Sequence, residues 1–112
     1  MNIEIEHMPQ MTIMTPVVRR LDASVAASFR EQIANEMADA HHALIIDFSR
    51  VDFIDSSCLG TLVSLLKMMN GKGEMLVCDL KPGIRNMFTL TRMDRVFRIC
   101  DDRAAACAEL AR

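Results

Sequence analysis

Between Val51 and Met69 the chain passes from an apolar strand end, through an acidic corner carrying two hydroxyls, into an amphipathic helix. No other stretch restricts the fold as tightly. Asp55 suits the N-cap position, because its carboxylate can accept from the otherwise orphaned N–H of Ser57 or Cys58. Leu59, Leu62, Val63, Leu66 and Met69 recur at helical spacing and predict a buried stripe. The face left over is small and polar, made of Ser57, Gly60, Thr61 and Ser64. With Ser56, hydroxyls gather at the positive end of a helix whose outer surface carries little bulk. This corner is the candidate site.

The flanking segments fit an α/β domain. Ile3 and Ile5 alternate with Glu4 and Glu6 as a half-exposed strand, and His7 to Gln10 reads as a turn. Met11 to Val18 predicts a second strand, with Pro16 on an edge or at a bulge. Asp22 or Ser24 is expected to cap a first helix that buries Val25, Phe29, Ile33 and Met37, turns Arg30, Glu31, Asn35 and Glu36 outward, and closes at His41-His42. The dense run Ala43 to Phe48 predicts a central strand buried on both faces, as parallel strands under helices are. Asp47 within it is either a satisfied structural acceptor or part of a strand-end site.

After the key helix, Asn70-Gly71-Lys72-Gly73 is a stop signal. Glu74 to Leu80 is the next strand, and Pro82 opens another helix with Ile84, Met87, Phe88 and Leu90 on its buried side. Val96 to Ile99 predicts a short strand and Ala104 to Ala111 a terminal helix. Strand and helix alternation makes the central strands parallel, while the opening hairpin makes the sheet mixed.

Length and charge narrow the function classes. A chain of 112 residues fits one domain, taken as 1–112. A formal charge of −2 gives no general attraction for nucleic acid or anionic membranes. The longest apolar run, near Leu59 to Met69, is too short to span a bilayer and is interrupted by Ser64 and Lys67. No basic-then-apolar leader opens the chain, so a cytoplasmic location is expected. Ten Met and five Phe, with no Trp or Tyr, predict an aliphatic, thioether-rich core. Cys58, Cys78, Cys100 and Cys107 include no C-x-x-C pair and read as reduced thiols; Cys100 and Cys107, two helical turns apart, could share one face, but small core hydrophobes are the favoured reading over a metal site. No metal or cofactor is expected. His41-His42 beside Asp39 is no ligand cluster either, because adjacent helical residues point apart.

The run Leu44-Ile45-Ile46-Asp47-Phe48-Ser49 and the corner Phe53-Ile54-Asp55-Ser56-Ser57-Cys58-Leu59-Gly60 resemble the signature of STAS domains. These occur in bacterial anti-sigma factor antagonists and at the cytoplasmic ends of sulfate transporters. Leu21-Asp22-Ala23 and Gly73 to Val77 extend the likeness over essentially the whole chain. The resemblance implies one non-enzymatic binding module, with a mixed sheet and helices packed mainly on one side. It also implies that Ser56, directly after the aspartate, is a phosphorylation site. Spacing alone would leave Ser56 as a helper in capping the helix. Two departures stand out: Cys58 and Arg19 occupy positions where the family usually has glycine. Cys58 is expected to place bulk beside the phosphate acceptor, and Arg19 to alter the local turn.

The favoured reading is therefore a docking protein like the anti-sigma factor antagonists. Its partner would be an anti-sigma factor serine kinase that binds ATP itself and later phosphorylates Ser56. The docking surface would comprise Asp55, Ser56, Ser57, Cys58, Gly60, Thr61 and Ser64. The alternative is a STAS subunit of a larger assembly, either a lipid-transporting ABC complex or a signalling scaffold. A second copy of the chain is a further candidate partner. A third reading, a hydrolase built on Asp55, Ser56 and a histidine, ranks last, since adjacent Asp and Ser cannot form a nucleophile–base–orienter chain and no glycine nucleophile elbow exists. Cys58 is expected to be an accessible thiol of ordinary reactivity, the helix dipole offsetting Asp55 and burial. Lys81, Arg85, Arg92, Arg95 and Arg98 form either a second contact patch or a solvated surface.

Overall fold

A computed structural model describes residues 1–39, 43–70 and 72–110. The expected helix end at His41-His42 and the stop residue Gly71 lie outside them. The strands are β1 (Ile3–Met8), β2 (Met11–Pro16), β3 (Arg20–Leu21), β4 (Ala43–Asp47), β5 (Phe53–Ile54), β6 (Met75–Cys78) and β7 (Arg98–Cys100). The helices are α1 (Ala26–Asp39), α2 (Ser56–Met69), α3 (Pro82–Leu90) and α4 (Arg103–Leu110). The main sheet runs β1-β2-β4-β6-β7, with β1 antiparallel to β2 and the other pairs parallel. The expected mixed sheet is what forms.

Side chains alternate across this sheet as a strand period of two requires. Met14, Leu44, Ile46, Met75 and Val77 face a large core shared with Phe29 and Ile33 of α1, Leu62 and Leu65 of α2, and Ile84 and Phe88 of α3. Ile13, Ala43, Ile45, Leu76 and Cys78 face the other side, where among the described residues α4 is the helix that packs, through buried Ala106 and partly buried Cys107 and Leu110. Three helices thus cover one face and one short helix the other. Each fully buried leucine of α2 contributes roughly 1.5–3 kcal/mol by leaving water.

Several boundaries and burials differ from the sequence reading, each for a local reason. β1 continues through His7 and Met8, leaving only Pro9-Gln10 to turn the hairpin. β2 is buried along its whole length, Thr12 and Thr15 included, because it is flanked by β1 and β4 rather than lying at an edge. Pro16 is its last residue, beyond the final β4 pair Met14↔Ile46, so its missing N–H breaks no ladder. β6 ends at Cys78 because Asp79 turns into the left-handed region at φ 58°. Neither Asp22 nor Ser24 stands at the cap of α1, which begins at Ala26. Instead Asp22 accepts from the Ser24 N–H at 3.0 Å and closes a turn that precedes the helix. Leu90, expected inside, is 75% exposed at the last turn of α3.

The basic residues near the C-terminal half are largely committed to carboxylates. Lys81 and Arg19 both bond Asp52, and these two partners hold its carboxyl below the usual range. Arg85 pairs with Asp101, and Arg98 with Glu74 and Glu109. Of the five basic residues singled out from the sequence, Lys81, Arg85 and Arg98 are thus paired with carboxylates. No described helix is long and apolar enough to cross a membrane.

Candidate functional site

The corner is assembled by a feature too short to read from sequence, the parallel pair β3–β5, with Arg20 opposite Phe53 and Leu21 opposite Ile54. Its ladder brings the chain before α1 against the start of α2. The Asp55 N–H then donates to the Leu21 carbonyl at 3.1 Å. The Asp55 carboxylate faces two ways. Oδ1 accepts from the Cys58 N–H at 3.0 Å as the N-cap of α2, and Oδ2 accepts from the Ala23 N–H at 2.9 Å. One side chain therefore caps the helix and fastens it to the neighbouring loop.

Cys58 supplies a third tie and corrects the expectation made for it. Its side chain is 0% exposed, and Sγ donates to the Asp22 carbonyl at 3.4 Å. The bulk that replaces the family's usual glycine points inward, away from the acceptor, so the thiol is not accessible. Burial first, then the charges of Asp55 and Asp22, push its pKa up to about 11. The helix dipole does not offset these, since burial acts on a thiolate that would have no water. Arg19, the other departure from glycine, does not have a positive φ, and its Nε donates to Asp52 at 3.0 Å.

Two predictions arise here. Asp55→Ala should lower stability by about 2 kcal/mol, from a lost cap and a lost charge-assisted bond. Asp55→Asn should recover about half, because a carboxamide can accept from only one of the two N–H groups. Urea midpoints of the three proteins check this. Separately, the native Cys58 thiol should resist alkylation at pH 8. Between pH 9 and 11 the unfolded chain loses this proton while the folded chain keeps it, so stability should fall across that window. Denaturation midpoints measured from pH 8 to 11 test the sign.

Of the remaining corner residues, Ser56, Ser57 and Gly60 are exposed, while Asp55, Thr61 and Ser64 are half-buried. Thr61 Oγ1 donates to the Ser57 carbonyl at 3.0 Å, turning its hydroxyl back along the helix. The inner stripe also shifts: Leu65 and Cys58 are buried, and Val63 and Leu66 are only partly so. Ser56 is the first residue of α2, and the N–H groups of Ser56 and Ser57 are ones that helical bonding cannot satisfy. An exposed hydroxyl thus stands where backbone and dipole favour negative charge. A feature missed from sequence borders the corner. Phe53 is 38% exposed, with the Arg20 guanidinium 4.2 Å from its ring centroid. An arginine and an aromatic at facing strand ends were the available signal.

Asp47 proves to be a structural acceptor. It is 4% exposed, accepts from the Ser49 N–H at 2.8 Å, and pairs with the Arg103 guanidinium at 3.1 Å. Asp47, Cys78 and Asp79 bring ligand atoms within 4.8 Å of one another. A cation there would compete with Arg103 for Asp47, and burial together with the Asp47 charge raises the Cys78 pKa, disfavouring the thiolate that a metal requires.

The model of the STAS domain family matches residues 2–106, and the chain belongs to that family. Among curated proteins, the anti-sigma F factor antagonist of Paenibacillus polymyxa is 28% identical, over 98% of this chain and 95% of its own. Among solved structures, an anti-sigma factor antagonist from Mycobacterium paratuberculosis superposes with a TM-score of 0.91 at 22% identity, covering 99% of this chain and 94% of that one. The Bacillus cell fate determinant SpoIIAA, in its phosphorylated form, gives 0.70 at 16% identity, with 99% and 100% covered. The structural likenesses establish the fold. The curated relative supports the general role of an anti-sigma factor antagonist, a class of binding proteins.

Proposed function

We propose that this STAS domain docks a serine-kinase anti-sigma factor through the start of α2 and that phosphorylation of Ser56 ends the complex. The observation that carries the reading is the exposed Ser56 hydroxyl at the first position of a helix whose cap is already filled by Asp55. Capping is done by the aspartate, so the serine is not required for it. Around Ser56 the surface is low: Ser57 and Gly60 are exposed, and Thr61 and Ser64 are small. A partner can approach the helix closely there.

The chemistry belongs to the partner. A phosphoryl group passes from the kinase's ATP to Ser56 Oγ, ADP leaves, and the domain contributes only the hydroxyl and its placement. Phosphate at this position meets unsatisfied N–H groups and the positive end of the dipole, so the domain keeps its fold. The partner meets the new charge. The solved phosphorylated SpoIIAA supports a phosphate on this fold.

The test is capture from the native cell followed by phosphate mapping. The expected partner is a small ATP-binding kinase that, given ATP, leaves one phosphate on Ser56 and none on the Ser56→Ala protein. Capture of transporter or scaffold subunits instead would favour the alternative docking role. Phosphate on Ser57 would overturn the assignment of the acceptor.

A further inference from the structure

We propose that α4 is a cover over the second face of the sheet that opens as a unit ahead of the rest of the domain, with Arg103 as its latch. The two sides of the sheet are held very differently. On the α1–α3 side, large side chains from three helices interlock: Phe29, Ile33, Leu62, Leu65 and Phe88 are all fully buried. On the other side, α4 is eight residues long, and Ala106 is its one fully buried side chain, with Cys107 and Leu110 only partly covered. An alanine removes little apolar surface from water, and a helix of this length does not persist alone.

Polar contacts at the first turn make up the difference. Arg103 reaches three strands at once: it pairs with Asp47 of β4 at 3.1 Å, donates to Thr15 Oγ1 of β2 at 3.0 Å, and pairs with Glu6 of β1. Asp102 accepts from the Ala105 N–H at 2.7 Å and starts the helix beside this cluster. Glu109 pairs with Arg98 of β7 near the other end. Local opening follows the least apolar contact, and few buried groups with many exposed polar ones mark the low-stability end of a structure. Opening would bare Ile13, Ile45, Leu76 and Cys78 while leaving the face beneath α1–α3, and the Ser56 corner, in place.

The protein carries its own reporters. Cys78 is 0% exposed beneath α4, and Cys58 is 0% exposed on the opposite side, at the start of α2. In the full chain with Cys100→Ala and Cys107→Ala, iodoacetamide modification of each remaining thiol is followed by peptide mass spectrometry. Each rate is divided by its rate in the unfolded chain, which removes intrinsic reactivity. The expected result in native buffer is at least tenfold faster modification of Cys78 than of Cys58, with a weaker dependence on guanidinium. Arg103→Ala should accelerate Cys78 about tenfold and leave Cys58 within twofold, and Arg103→Lys, which keeps the charge but loses the fork, should fall between. Equal normalised rates at both thiols would overturn the proposal. So would an Arg103 variant that accelerates both equally, since α4 would then open only with the whole domain.

Discussion

Gly60→Arg is expected to leave the fold intact and weaken docking at least a hundredfold. The reasoning starts from what the fold does not need. A glycine inside a helix is about 1 kcal/mol less favourable than alanine, yet a Cβ built at Gly60 meets nothing within 4 Å. No neighbour in the domain requires the missing side chain. Gly60→Ala should therefore raise stability by about 1 kcal/mol, a gain of several degrees in melting temperature for a domain of this size. Arginine has nearly the same helix propensity and should fold as well as the wild type. Its guanidinium, however, fills the space through which a partner would approach the α2 backbone. Melting curves and titrations of the same three proteins separate stability from binding. Wild-type affinity for Gly60→Arg would place the interface elsewhere.

Gly60 is a cleaner probe of this surface than Thr61 or Ser64 for a structural reason. Helical spacing puts both on the small polar face, but both are half-buried. An arginine at either would disturb packing as well as docking, and the two effects would be hard to separate.

The same contrast shows where sequence was sufficient. Helical periodicity and the Asp55 cap located α2, and Pro82 located the start of α3, because caps and first-turn prolines act locally. The dense run Ala43 to Phe48 revealed a strand buried on both faces for the same reason: its composition alone reports its surroundings. What stayed hidden depends on pairing between distant segments. The β3–β5 ladder has two residues in each strand, too few for any periodicity. Without it, neither the second bond of Asp55 to Ala23 nor the inward turn of Cys58 toward Asp22 can be anticipated. Asp47 was ambiguous for a related reason, its partner Arg103 lying 56 residues away. Leu90 misled because helical spacing marks a face but not whether anything covers it.

Phosphorylation of Ser56 is expected to weaken the partner complex at least a hundredfold without changing the domain's secondary structure. A phosphoserine carries about −1.5 to −2 charges at neutral pH. At the first residue of α2 that charge meets favourable N–H groups and the positive dipole end within its own domain. A partner surface that packs closely on the hydroxyl would offer no such compensation. Its surface must lose water against a charged group where it had met a hydroxyl, and mismatched charge at an interface costs several kcal/mol. Each 1.4 kcal/mol is a factor of ten in affinity. Ser56→Asp adds one charge without the phosphate's geometry, so only partial weakening, about tenfold, is expected. Ser56→Ala should bind as the wild type does and accept no phosphate.

The decisive measurement is a calorimetric titration of the proposed kinase partner with unmodified protein and with protein fully phosphorylated at Ser56, alongside far-ultraviolet circular dichroism of both. The account predicts at least a hundredfold loss of affinity on phosphorylation, with superimposable spectra. Equal affinities for the two forms would contradict it.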